Sequence, residues 1–428
     1  MDEKQKRLSS MREGSRLNIA VIGGGLQGTE ITCLAREAGF KTVLFDRRKR
    51  PPARGLCHDF HQLEINRQNL DVFFDLLPEV EAVLPALEDY KVLKLLDRGC
   101  RRENLPFIFD LQAFEITSCK ETSRRFFRRH NLPHARQPPA ADFPLILKPA
   151  RGSGSSGVIK VEDQAELEYQ RDQLSDDDDV LVEEYLEGPA FSLEVLGLNG
   201  SFYPLMPTRL EFDESFDCCR VLAGKVITDR RQNELYELAR RIARALNLEG
   251  IMDIEIILTD SGCKIMEIDA RFPSQTPLAV YQASGLNMVS LLLSGAKNKK
   301  NKDLNLPELS FEQGAAVLEQ MLIKKSEGET KIYAPVGEHV LTEGGELNIQ
   351  RNFYGADLAL TDLPRAHIAT GENILSTESE AKAEQSWRAA LVYTGEDLKE
   401  AREKSRRSRN RLKNGLVFER GGPSDDQA

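Results

Sequence analysis

Two groups of residues in this sequence have the types and spacing needed for phosphate chemistry, and the first lies between Leu145 and Val158. This stretch, LILKPARGSGSSGV, places Lys148 after a short apolar segment and follows it with a glycine- and serine-rich loop. Glycine lets the backbone approach a phosphate closely, successive N–H groups form an anion-binding concavity, and a lysine adds positive charge. A flexible surface linker is the alternative interpretation. The strand-like residues on both sides, LIL and VIKV, favour a hairpin loop that clamps a nucleotide phosphate.

The second group is a set of acidic residues in the segment DIEIILTDSGCKIMEIDAR. This pattern predicts two strands joined by a TDSG turn, with Glu255 on the first strand and Glu267, Asp269 and Arg271 on one face of the second. Carboxylates on a shared face repel one another unless a cation lies between them, and the Mg²⁺ of a nucleotide prefers oxygen ligands. Asp253 shares a face with Glu255 and is the second choice as a ligand. The alternative is that these acids simply face solvent. The apolar residues on the opposite face of the hairpin favour a buried hairpin and therefore the metal-site interpretation.

The N-terminal part of the chain predicts a βαβ unit. An apolar strand over 17–22 meets the turn GGGLQG, a helix follows, and a second strand ends in Asp46. This is the pattern of a dinucleotide-binding turn, and Asp46 lies near the sequence separation from the turn at which an acid contacts the ribose. The same strand-turn-helix pattern also begins α/β domains that bind no dinucleotide. Glu88 and Asp89 follow the next strand and should face the same crevice, because ligands bind at the carboxyl ends of such strands. A helix cap or a solvated acid is the alternative for Glu88.

The rest of the chain alternates strand and helix patterns, which predicts an α/β protein with more than one lobe. The expected elements are a helix at 70–77, a short strand FIFD at 107–110, helical patterning over 111–133, a helix at 164–174, strands VLVEEYL, FSLEVLGLN and SFYPLMPTRL, helices at 233–246 and 276–295, and a charged helix near the C-terminus. The Asn199-Gly200 pair between two of these strands is a strong hairpin signal.

Composition narrows the functional class. A length of 428 residues predicts two or three lobes, and a net charge of −10 argues against a nucleic-acid surface. No apolar run is long enough to span a membrane, and the charged N-terminus lacks a secretory signal, so a cytoplasmic protein is expected. The seven cysteines contain no C-x-x-C pair, which favours reduced thiols. Cys57, His58, Asp59 and His61 could in principle hold a metal, but a single C-H-x-x-H pattern without a second ligand pair is more typical of surface or packing residues.

No P-loop motif G-x-x-x-x-G-K-[ST] occurs, so the phosphate loop requires another type of ATP site. Lys120 in SCKETSRRFF, Lys148 with its RGSGSSG loop, the segment VEEYLEG and the acids of EIDAR together resemble the ATP-grasp superfamily, in which ATP lies between two α/β lobes. The motifs GGGLQG, VLPALED, FDCCRV and EIDARFPSQTP are similar, more narrowly, to the ligases of pyrrolysine biosynthesis. Those enzymes join 3-methyl-D-ornithine to the side-chain amine of L-lysine.

The resemblance implies an α/β ATP-grasp fold with an N-terminal Rossmann-like domain. Its expected boundaries are a disordered tail at 1–16, the Rossmann-like domain at 17–110, a central ATP-grasp lobe with the glycine-rich loop at 111–183, and a C-terminal lobe with the metal hairpin and an extension at 184–428.

The resemblance also implies the ATP and metal contacts. The residues expected at ATP are Lys120, Lys148, Ser153, Gly154, Ser155, Ser156, Gly157, Glu183, Glu184 and Leu186. Glu255, Glu267 and Asp269 would hold two Mg²⁺, and Arg220 would reach the γ-phosphate from a loop. Many relatives have an acid at the ribose two residues beyond the glycine of VEEYLEG, but this chain has Ala190, so no ribose contact is assigned.

The expected reaction is ligation through an acyl phosphate, with Lys148, Arg220 and Arg271 as the catalytic residues. The residues expected at the amino-acid substrates are Leu26, Gln27, Glu88, Glu211, Asp217, Ser274 and Gln275, with the acids at the ammonium groups and Arg271, Ser274 and Gln275 at the activated carboxylate. A carboxylase of the purine-pathway type, or another amino-acid ligase, is an alternative on the same fold. An NAD-dependent dehydrogenase built on the glycine turn is a third, which leaves Lys148 and the acidic hairpin unexplained.

Overall fold

The computed structural model describes residues 18–49, 51–150, 157–173, 179–214, 216–297, 314–326, 329–333, 341–342, 367–369, 371–372, 386–415 and 417–418. The predicted tail at 1–16 lies outside these residues, as do Ser153, Gly154, Ser155 and Ser156 of the predicted phosphate loop.

The N-terminal part forms a parallel four-stranded sheet in the order β3-β2-β1-β4. Its elements are β1 (Asn18–Ile22), α1 (Leu26–Glu37), β2 (Lys41–Asp46), a short 3₁₀ helix (Pro52–Gly55), β3 (Asp59–Gln62), α2 (Leu70–Leu76), β4 (Ala82–Pro85) and α3 (Tyr90–Arg102). Successive residues of β1 pack into different clusters, Ile19 with Ile31 of α1, and Ala20 with Phe73 of α2. Helices therefore cover both faces of the sheet, as expected for a Rossmann-like unit.

The predicted strand at 107–110 is wrong. Phe107 makes a single β-bridge to Val83, and Asp110 instead caps the next helix by accepting hydrogen bonds from Gln112 N and Ala113 N. Such a cap ends the extended segment, because the carboxylate satisfies helical N–H groups that have no other partner. The helical patterning that follows divides into α4 (Leu111–Thr117) and α5 (Lys120–Arg129).

A second, antiparallel sheet of three strands has the order β6-β5-β7. It consists of β5 (Leu145–Pro149), β6 (Ile159–Val161), α6 (Gln164–Asp172) and β7 (Val180–Glu184). Because β5 and β6 pair directly, the glycine- and serine-rich segment between them connects the two strands of a hairpin, as predicted. Gly157, at the end of that segment, has a φ of 76°, a backbone conformation that glycine adopts at little cost.

The third sheet contains 13 strands among the described residues, and its main path is β13-β12-β8-β10-β11-β14-β19-β17-β16. Its strands are β8 (Ala190–Leu198), β9 (Ser201–Pro204), β10 (Thr208–Phe212), β11 (Cys218–Ala223), β12 (Gly250–Thr259), β13 (Gly262–Asp269), β14 (Ala315–Ser326), β15 (Glu329–Tyr333), β16 (Leu341–Thr342), β17 (His367–Ala369), β18 (Gly371–Glu372), β19 (Ser386–Gly395) and β20 (Val417–Phe418). The predicted hairpins at Asn199-Gly200 and at the TDSG turn are both present. SFYPLMPTRL, predicted as one strand, forms β9 and β10.

Four helices complete the described fold: α7 (Asp229–Leu246), α8 (Thr276–Ser284), α9 (Met288–Lys297) and α10 (Leu398–Gly415). The predicted apolar face of α7 is buried, with Leu235, Ala239 and Ile242 in one cluster. All seven cysteines are free thiols, as predicted. No helix in the described ranges has the length and apolar character needed to cross a bilayer.

Candidate active site

A cleft of about 560 Å³ lies between the three-stranded sheet and the large sheet. Eight of the predicted site residues line it: Lys120, Lys148, Glu183, Glu184, Leu186, Glu211, Glu255 and Glu267. Ile146, Ile257 and Met266 add apolar surface to the same cleft. A purine ring needs apolar walls and its phosphates need cations, so both halves of a nucleotide match the chemistry of this lining.

Lys148 is buried at the end of β5 and forms an ion pair with Glu183 of β7. Glu183 forms a second ion pair with Arg124 of α5, which is also buried. Burial by itself would raise the pKa of Glu183, but Lys148 and Arg124 together hold it below its ordinary value. Glu183, one of the residues expected at ATP, is therefore the counter-ion that fixes the Lys148 side chain at the cleft.

Glu184 is held by groups outside the cleft. Its carboxylate accepts hydrogen bonds from Arg136 Nε at 2.5 Å and Arg136 N at 2.9 Å, and Lys264 Nζ lies 4.0 Å away. The side chain thus anchors the segment that leads to Leu186, which lines the cleft directly.

The acidic hairpin places its carboxylates in two opposed pairs. Glu255 faces Glu267 across β12 and β13, and Asp253 faces Asp269. Burial and the charge of Glu267 raise the pKa of Glu255 to about 7, and burial raises the pKa of Asp269 to about 7. Lys120 Nζ lies 3.6 Å from Glu267 Oε1, which places a cation beside the acids.

These acids fit a divalent cation by their donor chemistry. Asp253 Oδ1 and Asp269 Oδ1 are buried without a hydrogen-bond partner in the described part of the chain, so each retains an oxygen that could ligate a metal. No three His, Cys, Asp or Glu side chains of the described residues are close enough together to form a complete metal site. The hairpin therefore supplies suitable oxygens without a fully assembled coordination shell.

A second polar region adjoins the acidic hairpin. Arg271 Nε lies 2.7 Å from Asp269 Oδ2 and 3.1 Å from Glu88 Oε1. With its amide oxygen oriented toward Arg271, Gln27 accepts hydrogen bonds from Nη1 at 2.6 Å and from Nε at 3.1 Å. The predicted residues Gln27, Glu88, Asp269 and Arg271 thus meet at one point. Leu26 is the preceding residue, at the start of α1.

The turn between β13 and α8 contains two further predicted residues, Ser274 and Gln275. Gln275 has a φ of 75°, and its N–H donates to Glu30 Oε1 at 2.5 Å. Leu278 N donates to Glu30 Oε2 at 3.1 Å, so this α1 carboxylate caps helix α8. Burial raises the pKa of Glu30 to about 8, although both backbone hydrogen bonds oppose that rise.

Arg220, predicted to reach the γ-phosphate from a loop, lies instead on strand β11, where it is paired with β10 and β14. Its Nη1 is 2.5 Å from Glu211 Oε2 of β10, and its Nε is 2.8 Å from Glu319 Oε1 of β14. Asp217, another predicted substrate residue, lies just before β11, and its N–H donates to Asp213 Oδ1 at 2.9 Å. Of these residues, Glu211 and Asp213 line the cleft.

Comparison with known proteins agrees with this geometry. An ATP-grasp domain family matches residues 118–275. The 3-methyl-D-ornithine–L-lysine ligase of Methanosarcina barkeri is 32% identical over 77% of this chain and 85% of its own length. The ligases of the same name from Methanosarcina acetivorans and Methanosarcina mazei are each 30% identical, over 91% and 94% of this chain and 95% and 98% of their own lengths. The chain belongs to this ligase family. It is therefore an ATP-dependent ligase that forms a C–N bond.

Solved structures support the fold of the ligase. An N5-carboxyaminoimidazole ribonucleotide synthetase in complex with ADP has a TM-score of 0.64 at 17% identity and covers 94% of this chain and 99% of its own. An L-amino acid ligase from Bacillus licheniformis has a TM-score of 0.62 at 17% identity and covers 95% of this chain and 99% of its own. The predicted ATP-grasp fold is confirmed.

The glycine turn of the ligase is packed against nearby residues of the same chain. Asp46 Oδ2 accepts a hydrogen bond from Gly24 N at 2.6 Å, and Asp46 Oδ1 accepts one from Arg48 N at 2.7 Å. A Cβ on Gly24 would lie 2.7 Å from Pro51 Cβ, and Ala53 N donates to Gly24 O at 3.1 Å. These contacts occupy the carboxylate and the turn that would hold a dinucleotide. The dehydrogenase hypothesis is wrong, since the chain belongs to a ligase family.

Sequence reasoning did not identify Glu30, Arg124, Glu319 or Arg402, which the structure connects to predicted site residues. Glu30 and Arg124 lie in helices, where a charged residue is usually solvent-exposed and the neighbouring sequence does not indicate a buried partner. Their partners are 245 and 59 residues away along the chain. Only a tertiary structure could have revealed these contacts.

Proposed function

We propose that this ligase activates the carboxylate of 3-methyl-D-ornithine with ATP and joins it to the side-chain amine of L-lysine. The observation that carries this proposal is the position of Arg271. It contacts Asp269 of the acidic hairpin on one side and Gln27 and Glu88 of the N-terminal unit on the other. Arg271 could therefore bind a substrate carboxylate next to the hairpin that would hold Mg²⁺ and the ATP phosphates. The names of the three Methanosarcina relatives supply the substrates.

ATP would bind in the 560 Å³ cleft, with its phosphates toward Lys120 and Lys148. Glu255, Glu267 and Asp269 would hold two Mg²⁺, whose charge would offset that of the transferring phosphoryl group. Lys148 needs no reorganisation for this role, because Glu183 already fixes it at the cleft.

The amino-acid substrates would bind beside Arg271. Arg271, Ser274 and Gln275 would hold the carboxylate to be activated, Glu88 and Asp217 would hold ammonium groups, and Leu26 and Gln27 would line the substrate region. Glu211, also expected at an ammonium group, is paired instead with Arg220 and Arg402 at the cleft. A carboxylate is a poor electrophile, so transfer of the γ-phosphoryl group from ATP first gives an acyl phosphate and ADP. The neutral lysine amine then attacks the acyl carbon, the C–O bond to phosphate breaks, and a nearby carboxylate accepts the amine proton.

An ADP-release assay tests this proposal. Turnover should require both L-lysine and a D-ornithine substrate, and mass spectrometry should detect an amide product that has lost one water relative to the two amino acids. Each amino acid alone should release little ADP. ADP release that depends on bicarbonate and not on amino acids would show a carboxylase instead.

A further inference from the structure

The C-terminal helix α10 reaches the wall of the ATP cleft through two side chains. Arg402 Nη2 lies 2.7 Å from Glu211 Oε1, and Ser405 Oγ donates to Glu319 Oε1 at 2.6 Å. These carboxylates are the two that hold Arg220, at 2.5 Å from Glu211 and 2.8 Å from Glu319. One network therefore joins α10 to three neighbouring strands of the large sheet.

The network is largely shielded from solvent and contains carboxylates of two strands paired with arginines of a third strand and of α10. The side chains of Arg220, Glu211 and Glu319 are 11%, 13% and 4% exposed. Arg220 pairs with both carboxylates, and Arg402 pairs with Glu211. Removing Arg402 would add one net negative charge beside the cleft, where water screens charge poorly.

Arg406 shows that proximity along the helix is not enough to join the network. It lies one turn beyond Arg402, its side chain is 57% exposed, and its Nη2 contacts Glu403 of the same helix at 2.6 Å. The two arginines have the same charge and the same helix, but Arg402 alone of this pair contacts a residue that lines the cleft. Arg406 is therefore a matched control for Arg402.

We propose that Arg402 and Ser405 are positioning residues for nucleotide binding. They hold Glu211 and Glu319, which direct the Arg220 guanidinium, and Arg402 keeps the cleft wall from repelling a triphosphate. If Arg220 turns toward a phosphate, Arg402 still neutralises Glu211, and Ser405 still donates to Glu319. This inference rests on the proposed function in one respect, namely that a nucleotide occupies the cleft. It makes the C-terminal extension part of the nucleotide-binding lobe.

The test compares full-length wild type with the variants Arg402→Ala, Arg402→Lys and Arg406→Ala. Calorimetry measures the affinity for Mg-ADP and for a non-hydrolysable ATP analogue, and steady-state assays give kcat and the KM for ATP. Arg402→Ala should weaken nucleotide binding at least about fivefold, as expected for one added net negative charge near a triphosphate. Arg402→Lys should restore most of the affinity, and Arg406→Ala should match wild type.

Equal nucleotide affinity in Arg402→Ala and Arg406→Ala would overturn the inference, even if Arg402→Ala had a lower melting temperature. If Arg402→Ala does not fold, Ser405→Ala takes its place; a wild-type nucleotide affinity and wild-type kcat in that variant would overturn it equally. The nucleotide measurements do not depend on the amino acids. A wild type that binds ATP but does not turn over L-lysine would therefore refute the proposed substrates and leave this inference standing.

Discussion

Replacing Glu30 by glutamine should change how stability depends on pH. Burial raises the pKa of Glu30 to about 8 in the folded chain, and the charge of Glu194 on β8 adds to the rise. The unfolded chain loses this proton near the ordinary value of 4.5, so the free energy of unfolding falls as the pH rises from 4.5 to about 8. At about 1.4 kcal/mol per pH unit, with a slope that flattens as the pH approaches the folded pKa, wild type should lose roughly 2 kcal/mol between about pH 6 and pH 8.

The glutamine variant lacks this titration but has a fixed cost. Glu30 accepts hydrogen bonds from Gln275 N and Leu278 N with separate oxygens, and the amide of glutamine has one oxygen to offer. The lost bond should cost about 1–3 kcal/mol at every pH. Glu30→Gln should therefore be less stable than wild type near about pH 6, and the difference should close or reverse near about pH 9.

Urea denaturation followed by circular dichroism at several pH values measures this difference. Glu37→Gln is the control, because Glu37 is an exposed residue of the same helix that accepts a hydrogen bond from Tyr281 Oη at 3.1 Å. The free energy of unfolding of Glu37→Gln should change with pH in the same way as that of wild type. If the stability of Glu30→Gln runs parallel to that of wild type, Glu30 is already ionised in the folded protein and the reasoning fails. A raised KM for the amino acids is also expected, since Glu30 holds the Gln275 turn.

Two further predictions concern the cleft. Lys148→Ala should reduce ATP turnover about a hundredfold or more while the protein stays folded, because Arg124 still compensates Glu183. Wild-type turnover would contradict the phosphate clamp, and Lys225→Ala, whose side chain is 82% exposed, is the control in the same assay. Glu255→Gln should abolish Mg²⁺-dependent turnover. The same change should stabilise the metal-free protein at about pH 8 by up to about 3 kcal/mol. The reason is that the pKa of Glu255 is raised to about 7, so that above this pH its buried charge destabilises the fold. Thermal melting with EDTA and with Mg²⁺ checks this, and unchanged stability with normal Mg²⁺ dependence would refute it.

Features with a local cause could be predicted from the sequence. Alternation and turn chemistry located the Asn199-Gly200 hairpin and the hairpin that carries Glu255 and Asp269, because each depends on residues close together in the chain. The sequence also predicts the βαβ unit ending at Asp46. It does not predict the hydrogen bonds that Asp46 accepts from Gly24 N and Arg48 N within its own turn, because the segment after Arg48 has no recognised pattern.

The partners of the predicted charged residues could not be found in this way. Arg220 and Glu319 are 99 residues apart in the chain, and Arg402 and Glu211 are 191 apart. Nothing near Arg220 indicates two carboxylate partners, so motif reasoning assigned it to phosphate alone. The roles assigned to the individual site residues remain predictions, and those for Ser153, Gly154, Ser155 and Ser156 lie outside the described residues.

Helix α1 explains why a dinucleotide-like turn occurs in a ligase. Gln27 and Glu30 are three residues apart and therefore share one face of this helix. Gln27 contacts Arg271 and Glu30 caps α8, while Leu34 O, four residues further along, accepts a hydrogen bond from Asn287 Nδ2 at 2.7 Å. This face of α1 is thus attached to the segment after the acidic hairpin. The glycine turn places the start of α1 where Gln27 meets Arg271, in the region proposed for the amino-acid substrates.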